Sequence, residues 1–166
     1  DALPISGEGT EAGKVAFLAF GSVLQSTLKA AEALDATVAA IAAEKLKRRI
    51  VIEASTFTLE DKLRAEAALR KAGHTVLDCP VSGTGAQAKT RDLVVYASGD
   101  TAAIRKLKRL FAAFTRAVYD LGAYGNSSKM KYVANLLVAI HNVASAEAMV
   151  LGMKAGLDPQ QIFELV

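Results

Sequence analysis

The sequence of 166 residues is poor in the residues that build disulfide scaffolds and metal centres. It contains one cysteine, two histidines and no tryptophan. A lone cysteine, Cys79, excludes an internal disulfide and is typical of proteins in a reducing cytoplasm, where we expect this one. So few cysteines and histidines also disfavour a zinc-type site, so we expect no metal ion.

Aromatic residues are scarce, and the charge is only mildly unbalanced. They make up 6% of the sequence, and the net charge is +3 with a pI near 9.0. The basic runs Lys45–Arg49 and Arg105–Arg109 fall at or within predicted helices, and no aromatic residues alternate with them to stack on bases. We interpret these runs as solvated helix faces and expect no nucleic-acid partner.

Short apolar runs alternate with helical patterns in the first half of the chain. Strands are predicted at Val15–Phe20, Ile50–Ala54 and Thr75–Cys79, and helices at Leu24–Leu46 and Leu59–Ala72. This order indicates parallel βαβ units, and in such sheets ligands bind beyond the carboxyl ends of the strands. Ser55, Thr56 and the loop after Cys79 stand at those ends.

The rest of the chain continues with a loop, two further strands and more helices. We expect a loop at Pro80–Asp92, a strand at Leu93–Ser98, a helix at Thr101–Phe114, a strand at Ala117–Leu121 and a final helix after Asp158 and Pro159. Between the last strand and the final helix lies the longest apolar stretch of the sequence, Gly125–Gly156. It predicts one helix of roughly 28 residues, about 42 Å long.

Apolar side chains surround nearly the whole circumference of this long helix, as in a helix buried inside a fold. Polar residues such as His141 and Glu147 interrupt the run, so we expect no membrane span. Lys131, Asn135 and Asn142 lie along one stripe of the helix. A polar stripe on a buried helix needs polar partners or a wet cleft, and that makes it a candidate site.

Two features of the sequence are candidates for chemistry. The turn Ser82-Gly83-Thr84 follows a strand, and its backbone N–H groups and hydroxyl suit a carboxylate, although ordinary turns share this composition. Lys131 lies near a helix N-terminus, where the helix dipole and partial burial lower a lysine pKa and favour proton exchange with an alkoxide or carbonyl oxygen. The alternative is a lysine whose charged end simply extends to solvent.

Four segments occur in an order and spacing that resemble the β-hydroxyacid dehydrogenases. They are Asp78–Ala88 (DCPVSGTGAQA), Leu93–Asp100 (LVVYASGD), Lys131–Asn135 (KYVAN) and Ala146–Pro159 (AEAMVLGMKAGLDP). This family includes 3-hydroxyisobutyrate dehydrogenase, tartronate semialdehyde reductase and relatives of L-threonate dehydrogenase. The resemblance extends from about Val15 to Val166.

The resemblance implies reversible hydride transfer between NAD or NADP and a small β-hydroxyacid. Lys131 falls on the family's general acid/base, with Asn135 beside the reacting oxygen. Ser55 and Thr56 fall on the pair that approaches the nicotinamide cofactor. The fold it implies is an α/β domain with a partial doubly wound (Rossmann-like) parallel sheet, residues 1–124, followed by an all-helical domain led by the long helix, residues 125–166.

The segment that the resemblance assigns to substrate binding departs from the family pattern. The pattern D-x-P-V-S-G-G falls on Asp78–Thr84, so that Ser82, Gly83 and Thr84 would hold the substrate carboxylate, with Thr84 in place of the second glycine. The glycine that the family usually has further along is replaced by Arg91-Asp92. These departures leave the hydroxyacid open.

The larger departure is the missing cofactor motif. The family begins with a strand and G-x-G-x-x-G, whereas Ala19–Leu24 keeps only the central Gly21. We therefore expect an interior piece of a longer protein, and such a piece need not be active by itself. The alternative is a non-enzymatic binding or oligomerisation module that has lost its cofactor site. By resemblance, a second subunit would cover the long helix in a homodimer or homotetramer.

Overall fold

In a computed structural model, residues 15–18, 27–43 and 48–166 are described. Parts of the first predicted strand and helix, and the segment around Gly21, lie outside the described residues. The elements are β1 (Val15–Leu18), α1 (Thr27–Ala43), β2 (Ile50–Glu53), α2 (Leu59–Lys71), β3 (Thr75–Asp78), β4 (Val81–Ser82), α3 (Gly85–Lys89), β5 (Leu93–Ala97), α4 (Thr101–Lys106), α5 (Lys108–Ala112), β6 (Thr115–Asp120), α6 (Asn126–Lys154) and α7 (Pro159–Leu165).

The predicted βαβ units are present. Strands β1, β2 and β3 form a parallel sheet in that order. Successive residues of β2 and β3 point to opposite faces: Val51 and Val76 pack in a core with residues of α1 and α2, and Ile52 and Leu77 pack in a second core with residues of α4 and α5. Helices therefore cover both faces of the sheet, which confirms the doubly wound α/β class.

The chain after β3 differs from the all-parallel expectation. Strand β4 pairs antiparallel with β5, and β5 pairs parallel with β6. The two sheets meet at an antiparallel bridge in which Asp78 and Ser98 exchange backbone hydrogen bonds of 2.9 Å. The prediction of a plain loop at 80–92 is wrong, because pairing with β5 forms β4 and a capped turn forms α3. The helix predicted at 101–114 is two helices, divided at Leu107.

Local signals set the ends of α2. The Thr58 hydroxyl accepts a hydrogen bond from Asp61 N and caps the first turn. Gly73 ends the helix with a φ of 90°, and the amides of Gly73 and His74 bond to the carbonyls of Arg70 and Leu69. These caps fix the rotation of α2, and with it the side chains that α2 turns toward the sheet.

The chain divides into two compact units, Asp1–Lys131 and Tyr132–Val166. The long helix is confirmed as α6, and Gly156 ends it with a φ of 86°. Asp158 caps α7, and a side chain at Gly152 would collide with Ile162, so α7 packs closely on the end of α6.

Many large apolar side chains of α6 are exposed in this chain. Leu136 is 61% exposed and Leu151 is 71% exposed. The helix also has the length and mean hydropathy, 1.6, of a membrane span, a test that rests on length and composition alone. Such a surface on one helix is weak evidence of a membrane, because a core helix of a soluble protein passes the same test.

Candidate active site

Ser55 and Thr56 follow β2, at the carboxyl edge of the sheet. Ser55 is buried, its N–H donates to Glu53 Oε1 at 2.8 Å, and its hydroxyl donates to the same oxygen. The Ser55 carbonyl accepts from Lys62 Nζ at 2.8 Å. The polar groups of Ser55 are thus used inside the protein, whereas the side chain of Thr56 is exposed and open to a ligand.

Ser82 and Gly83 lie where β4 ends. Ser82 pairs with Val94 of β5, and its hydroxyl has no hydrogen bond to any residue that the structure describes. Gly83 has a φ of 135°, and a Cβ there would lie 2.6 Å from Leu93 Cδ2. Only glycine fits this turn without strain, so the backbone beside Ser82 is closely defined.

Thr84 caps the short helix α3. Its hydroxyl accepts from Gln87 N at 3.3 Å, and its own N–H donates to Gln87 Oε1 at 2.9 Å, a capping box. Gln87 Nε2 also donates to Asp92 Oδ2 at 3.0 Å. Since the Thr84 amide is used within the turn in this conformation, binding of a substrate carboxylate by Thr84 stays a prediction.

Lys131 lies in the second turn of α6 and is partly buried. Burial lowers its pKa, and no ion pair with a described residue opposes that shift. A lysine with a lowered pKa is suited to accept and return a proton. Asn135 lies one helical turn further along, is exposed, and belongs to the second unit.

The sequence analysis missed a buried charge cluster in this part of the molecule. Lys62 of α2 is 0% exposed and lies 2.6 Å from both Glu53 Oε2 and Asp78 Oδ1. Lys62 Nζ donates hydrogen bonds to Asp78 Oδ1 and, at 2.8 Å, to the Ser55 carbonyl, and its contact with Glu53 Oε2 is an ion pair without a hydrogen bond. The cluster joins the carboxyl ends of β2 and β3 to α2.

Asp78 extends this cluster to the start of α6. Its Oδ1 accepts from Ser128 Oγ, and its Oδ2 accepts from Ser128 N, both at 2.9 Å. Ser98 Oγ donates to Oδ2 at 3.4 Å and accepts from Ser127 N at 3.2 Å. A carboxylate at a helix N-terminus satisfies free N–H groups and is favoured by the helix dipole.

The charges in the cluster are balanced by this arrangement. Burial alone would lower the pKa of Lys62, but Glu53 and Asp78 outweigh it and hold the pKa above its ordinary value. Burial raises the pKa of Glu53 in spite of the nearby ammonium. Two carboxylates therefore share one lysine, and the N-terminus of α6 supplies the remaining positive potential to Asp78.

Sequence signals for the cluster exist but are weak. Lys62 lies on the same face of α2 as Ala65 and Leu69, which are both buried. Glu53 is an acidic residue within an otherwise apolar strand. Among the residues that the structure describes, no group of three His, Cys, Asp or Glu side chains is placed to hold a metal ion.

Comparison with known proteins identifies the family. The family model of the NAD binding domain of 6-phosphogluconate dehydrogenase matches residues 4–122. That of the NAD-binding region of NADP-dependent 3-hydroxyisobutyrate dehydrogenase matches residues 125–166. The chain belongs to this dehydrogenase family, which confirms the resemblance to β-hydroxyacid dehydrogenases, and the cofactor class is NAD or NADP.

Individual relatives act on different hydroxyacids. L-threonate dehydrogenase of Cupriavidus necator is 37% identical over 99 residues, which are 59% of this chain and 33% of that protein. NAD-dependent L-serine dehydrogenase of Pseudomonas aeruginosa is 34% identical over 117 residues, 70% of this chain and 39% of that protein. The chain thus spans less than half the length of these relatives.

A solved structure shows the same fold. Mycobacterium tuberculosis 3-hydroxyisobutyrate dehydrogenase, determined with L-serine, aligns with a TM-score of 0.78 and 25% identity, covering 93% of this chain and 52% of that one. The match includes both the sheet and the helical segment, because nearly the whole chain is covered.

Proposed function

We propose that the complete protein transfers a hydride between NAD(P) and a small β-hydroxyacid, with Lys131 moving the proton. The observation that carries the proposal is the state of Lys131, a partly buried lysine without a described ion-pair partner and with a pKa lowered by burial. The family of the chain supports the same reaction class. The family alone leaves the hydroxyacid open, since L-threonate and L-serine dehydrogenases both match.

Lys131 Nζ serves as the proton acceptor during oxidation and the donor during reduction. A nicotinamide cofactor held beside Thr56 at the end of β2 would supply the acceptor for the hydride of the carbinol carbon. The hydroxyl proton goes to the neutral amine of Lys131, which leaves a carbonyl and an ammonium group. The lowered pKa increases the neutral fraction of Lys131 at a given pH, and this favours the oxidation direction. Asn135, one turn along α6, is proposed to hold the reacting oxygen.

The turn after β4 is proposed to bind the substrate carboxylate. The Ser82 hydroxyl is free of other partners among the described residues and can donate to an anion. Thr84 remains part of the proposed site, although its N–H must leave Gln87 before it can reach a substrate.

The end of β2 fits the nicotinamide cofactor through Thr56. Ser55 is fixed by Glu53 and Lys62, so the exposed Thr56 hydroxyl is held at the carboxyl edge of the sheet, where dinucleotides bind in such folds. Ser55 is proposed to shape this edge rather than to use its own hydroxyl, which donates to Glu53.

The reaction is tested with the complete gene product and a panel of L-threonate, L-serine and 3-hydroxyisobutyrate. Reduction of NAD⁺ or NADP⁺ would be followed by absorbance for each acid. We expect turnover with one of these acids and one preferred cofactor. Absence of turnover with all of them, together with tight cofactor binding, would contradict the substrate class but not the cofactor class.

A second proposed function is a non-enzymatic binding or oligomerisation module that has lost its cofactor site, which the missing G-x-G-x-x-G motif favours for this 166-residue piece alone. Quenching of NADPH fluorescence by the complete protein separates the two proposals. Binding in the micromolar range supports the enzyme, and no binding supports the module. We expect the 166-residue chain alone to bind weakly, since no glycine-rich turn meets the pyrophosphate.

We further propose a homodimer or homotetramer in the cytoplasm, with α6 at the subunit interface. The exposed apolar residues of α6, including Leu137 at 48%, form a surface larger than monomers usually tolerate. Light scattering of the complete protein would give a mass at least twice that of one subunit. A stable monomer would contradict the assembly without affecting the proposed chemistry.

A further inference from the structure

Hydrogen bonds tie the first turn of α6 to the carboxyl end of β3. Asp78, at the end of β3, accepts two hydrogen bonds from Ser128, one from the backbone N–H and one from the hydroxyl, both at 2.9 Å. Asp78 is held from the other side by Lys62 at 2.6 Å. All three side chains are almost fully buried.

Lys131 lies one helical turn after Ser128, within the same compact unit as Asp78 and Lys62. Any shift of the first turn of α6 along or around its axis therefore moves Lys131 as well. Ser82, in turn, follows Asp78 along the chain by a short segment that pairs with β5. The Asp78 carboxylate thus anchors α6, the helix that carries the proposed base Lys131. Asp78 also precedes the turn at Ser82, which is proposed to bind the carboxylate of the substrate.

We propose that Lys62, Asp78 and Ser128 are positioning residues, which fix the first two turns of α6 and so place Lys131 for proton transfer. The inference rests on the proposed function, because it assumes that Lys131 is the proton carrier. Lys62 does not touch substrate in this arrangement, since it is 0% exposed and its ammonium group is enclosed by Glu53, Asp78 and the Ser55 carbonyl. Its effect passes through Asp78 to the N-terminus of α6.

The cluster is suited to positioning because its geometry has little freedom. Lys62 is held by an ion pair with Glu53 and by hydrogen bonds to the Ser55 carbonyl and Asp78, which lie at the ends of two strands, β2 and β3. A second tie comes from Ser98, whose hydroxyl joins Asp78 to Ser127 N. Charge-assisted hydrogen bonds of this kind are short and directional, so they resist sliding of α6 better than apolar packing does.

The test compares five variants of the complete gene product, among them Ser128→Thr as the conservative change. Ser128→Ala removes only the hydroxyl bond to Asp78 and leaves the N–H bond, so it keeps the fold. Lys62→Met removes the cation. Leu69→Ala is the matched control, because Leu69 is a fully buried residue on the same face of α2 outside the cluster. Lys131→Ala sets the scale for loss of the proton carrier.

We expect Ser128→Ala and Lys62→Met each to lower kcat by between about tenfold and about 100-fold. The upper bound is the loss that a 1 Å misplacement can cause. The KM for the cofactor should stay within about twofold in Ser128→Ala, because this change leaves the contacts of Lys62 with Glu53 and Ser55 at the end of β2 in place. Ser128→Thr, which keeps the hydroxyl, should restore kcat. Leu69→Ala should lower the melting temperature and leave kcat unchanged below it.

Hydrogen exchange gives a readout that does not depend on activity. The amides of Ser127 and Ser128 should exchange faster, relative to the Leu77 amide in β3, in Ser128→Ala and Lys62→Met but not in Leu69→Ala. If Lys131→Ala keeps wild-type turnover, the proton-transfer role is wrong and this inference falls with it. Two results would overturn the positioning role alone, provided that Lys131→Ala is inactive. Either Ser128→Ala and Lys62→Met keep the wild-type kcat, or their kcat and amide exchange match those of Leu69→Ala.

Discussion

Two lysines of this molecule lie within the same unit and have opposite surroundings. Lys62 is fully buried and has two carboxylates and a carbonyl within 2.8 Å. Lys131 is partly buried and has no ion pair with any residue that the structure describes. Their pKa values shift in opposite directions: the carboxylates raise that of Lys62, and burial lowers that of Lys131.

The difference separates a structural charge from a reactive one. A buried charge that supports the fold is paired, because an unpaired one costs several kcal/mol. A group that must exchange protons near neutral pH needs an environment that destabilises its charged form. Lys131 meets the second condition and Lys62 the first, so substitutions at the two positions should change different quantities.

The largest expected effect is on stability at Lys62. Lys62→Met leaves Glu53 and Asp78 buried without their cation, which should lower the free energy of unfolding by about 3–5 kcal/mol. Denaturant unfolding of the complete protein measures the loss. Lys71→Met, the same change at an exposed lysine of α2, is the control and should stay within about 0.5 kcal/mol.

The same pair of variants has a pH signature. Since the pKa of Lys62 lies above its ordinary 10.5 in the folded state, the folded protein holds this proton longer than the unfolded chain does. The stabilisation is complete below pH 10.5 and declines as pH rises further. Lys62→Met should remove this alkaline decline. An unchanged slope above that pH would show that the pKa of Lys62 is not raised in the folded protein.

At Lys131 we expect an effect on rate rather than stability. Lys131→Ala should reduce turnover at least about 100-fold, with little change in cofactor affinity. Lys129→Ala is the control, because Lys129 is an exposed lysine on the same turns of α6 and its ammonium group donates to Asn126 Oδ1 at 3.4 Å. Equal turnover of the wild type and Lys131→Ala would show that Lys131 takes no part in proton transfer and that its ammonium group simply reaches solvent.

A smaller effect is expected at Ser82. If its hydroxyl donates to the substrate carboxylate, Ser82→Ala should raise KM by the loss of one charge-assisted hydrogen bond, about 1.5–3 kcal/mol. Thr90→Ala removes a hydroxyl that bonds only to Gln87 O in the same segment, and it should leave KM unchanged. A KM that is unaffected by Ser82→Ala for every active hydroxyacid would remove Ser82 from the site.

Much of the fold could be predicted because its signals are local. The apolar runs of β2 and β3 and the long apolar stretch of α6 each depend on neighbouring residues alone. Strand β4 could not be predicted, since its two residues become a strand only by pairing with β5. The helix α3 depends on a capping box between Thr84 and Gln87. This signal is present in the sequence, but the segment was predicted to be a loop.

The site divides in the same way. Lys131 and Ser82 stand in motifs that occur in one segment each, so a resemblance was enough to propose them. Lys62, Glu53 and Asp78 come from three different elements and meet only after strand pairing brings β2 beside β3. No periodicity within a single segment contains that information.

The smallest expected effect concerns Arg91, where the resemblance expects a glycine nearby. Arg91 is exposed and has a φ of 59°, the left-handed region that costs a residue with a Cβ about 1–2 kcal/mol. Arg91→Gly relieves this strain, but glycine also gives the unfolded chain more conformational entropy, which lowers the free energy of unfolding by about 0.4–1 kcal/mol. We therefore expect a net stabilisation of about 0.5–1 kcal/mol in denaturant unfolding. Arg91→Ala also removes the guanidinium but keeps the Cβ, and it should gain nothing. Equal gains in both variants would assign the effect to the charge instead of the backbone.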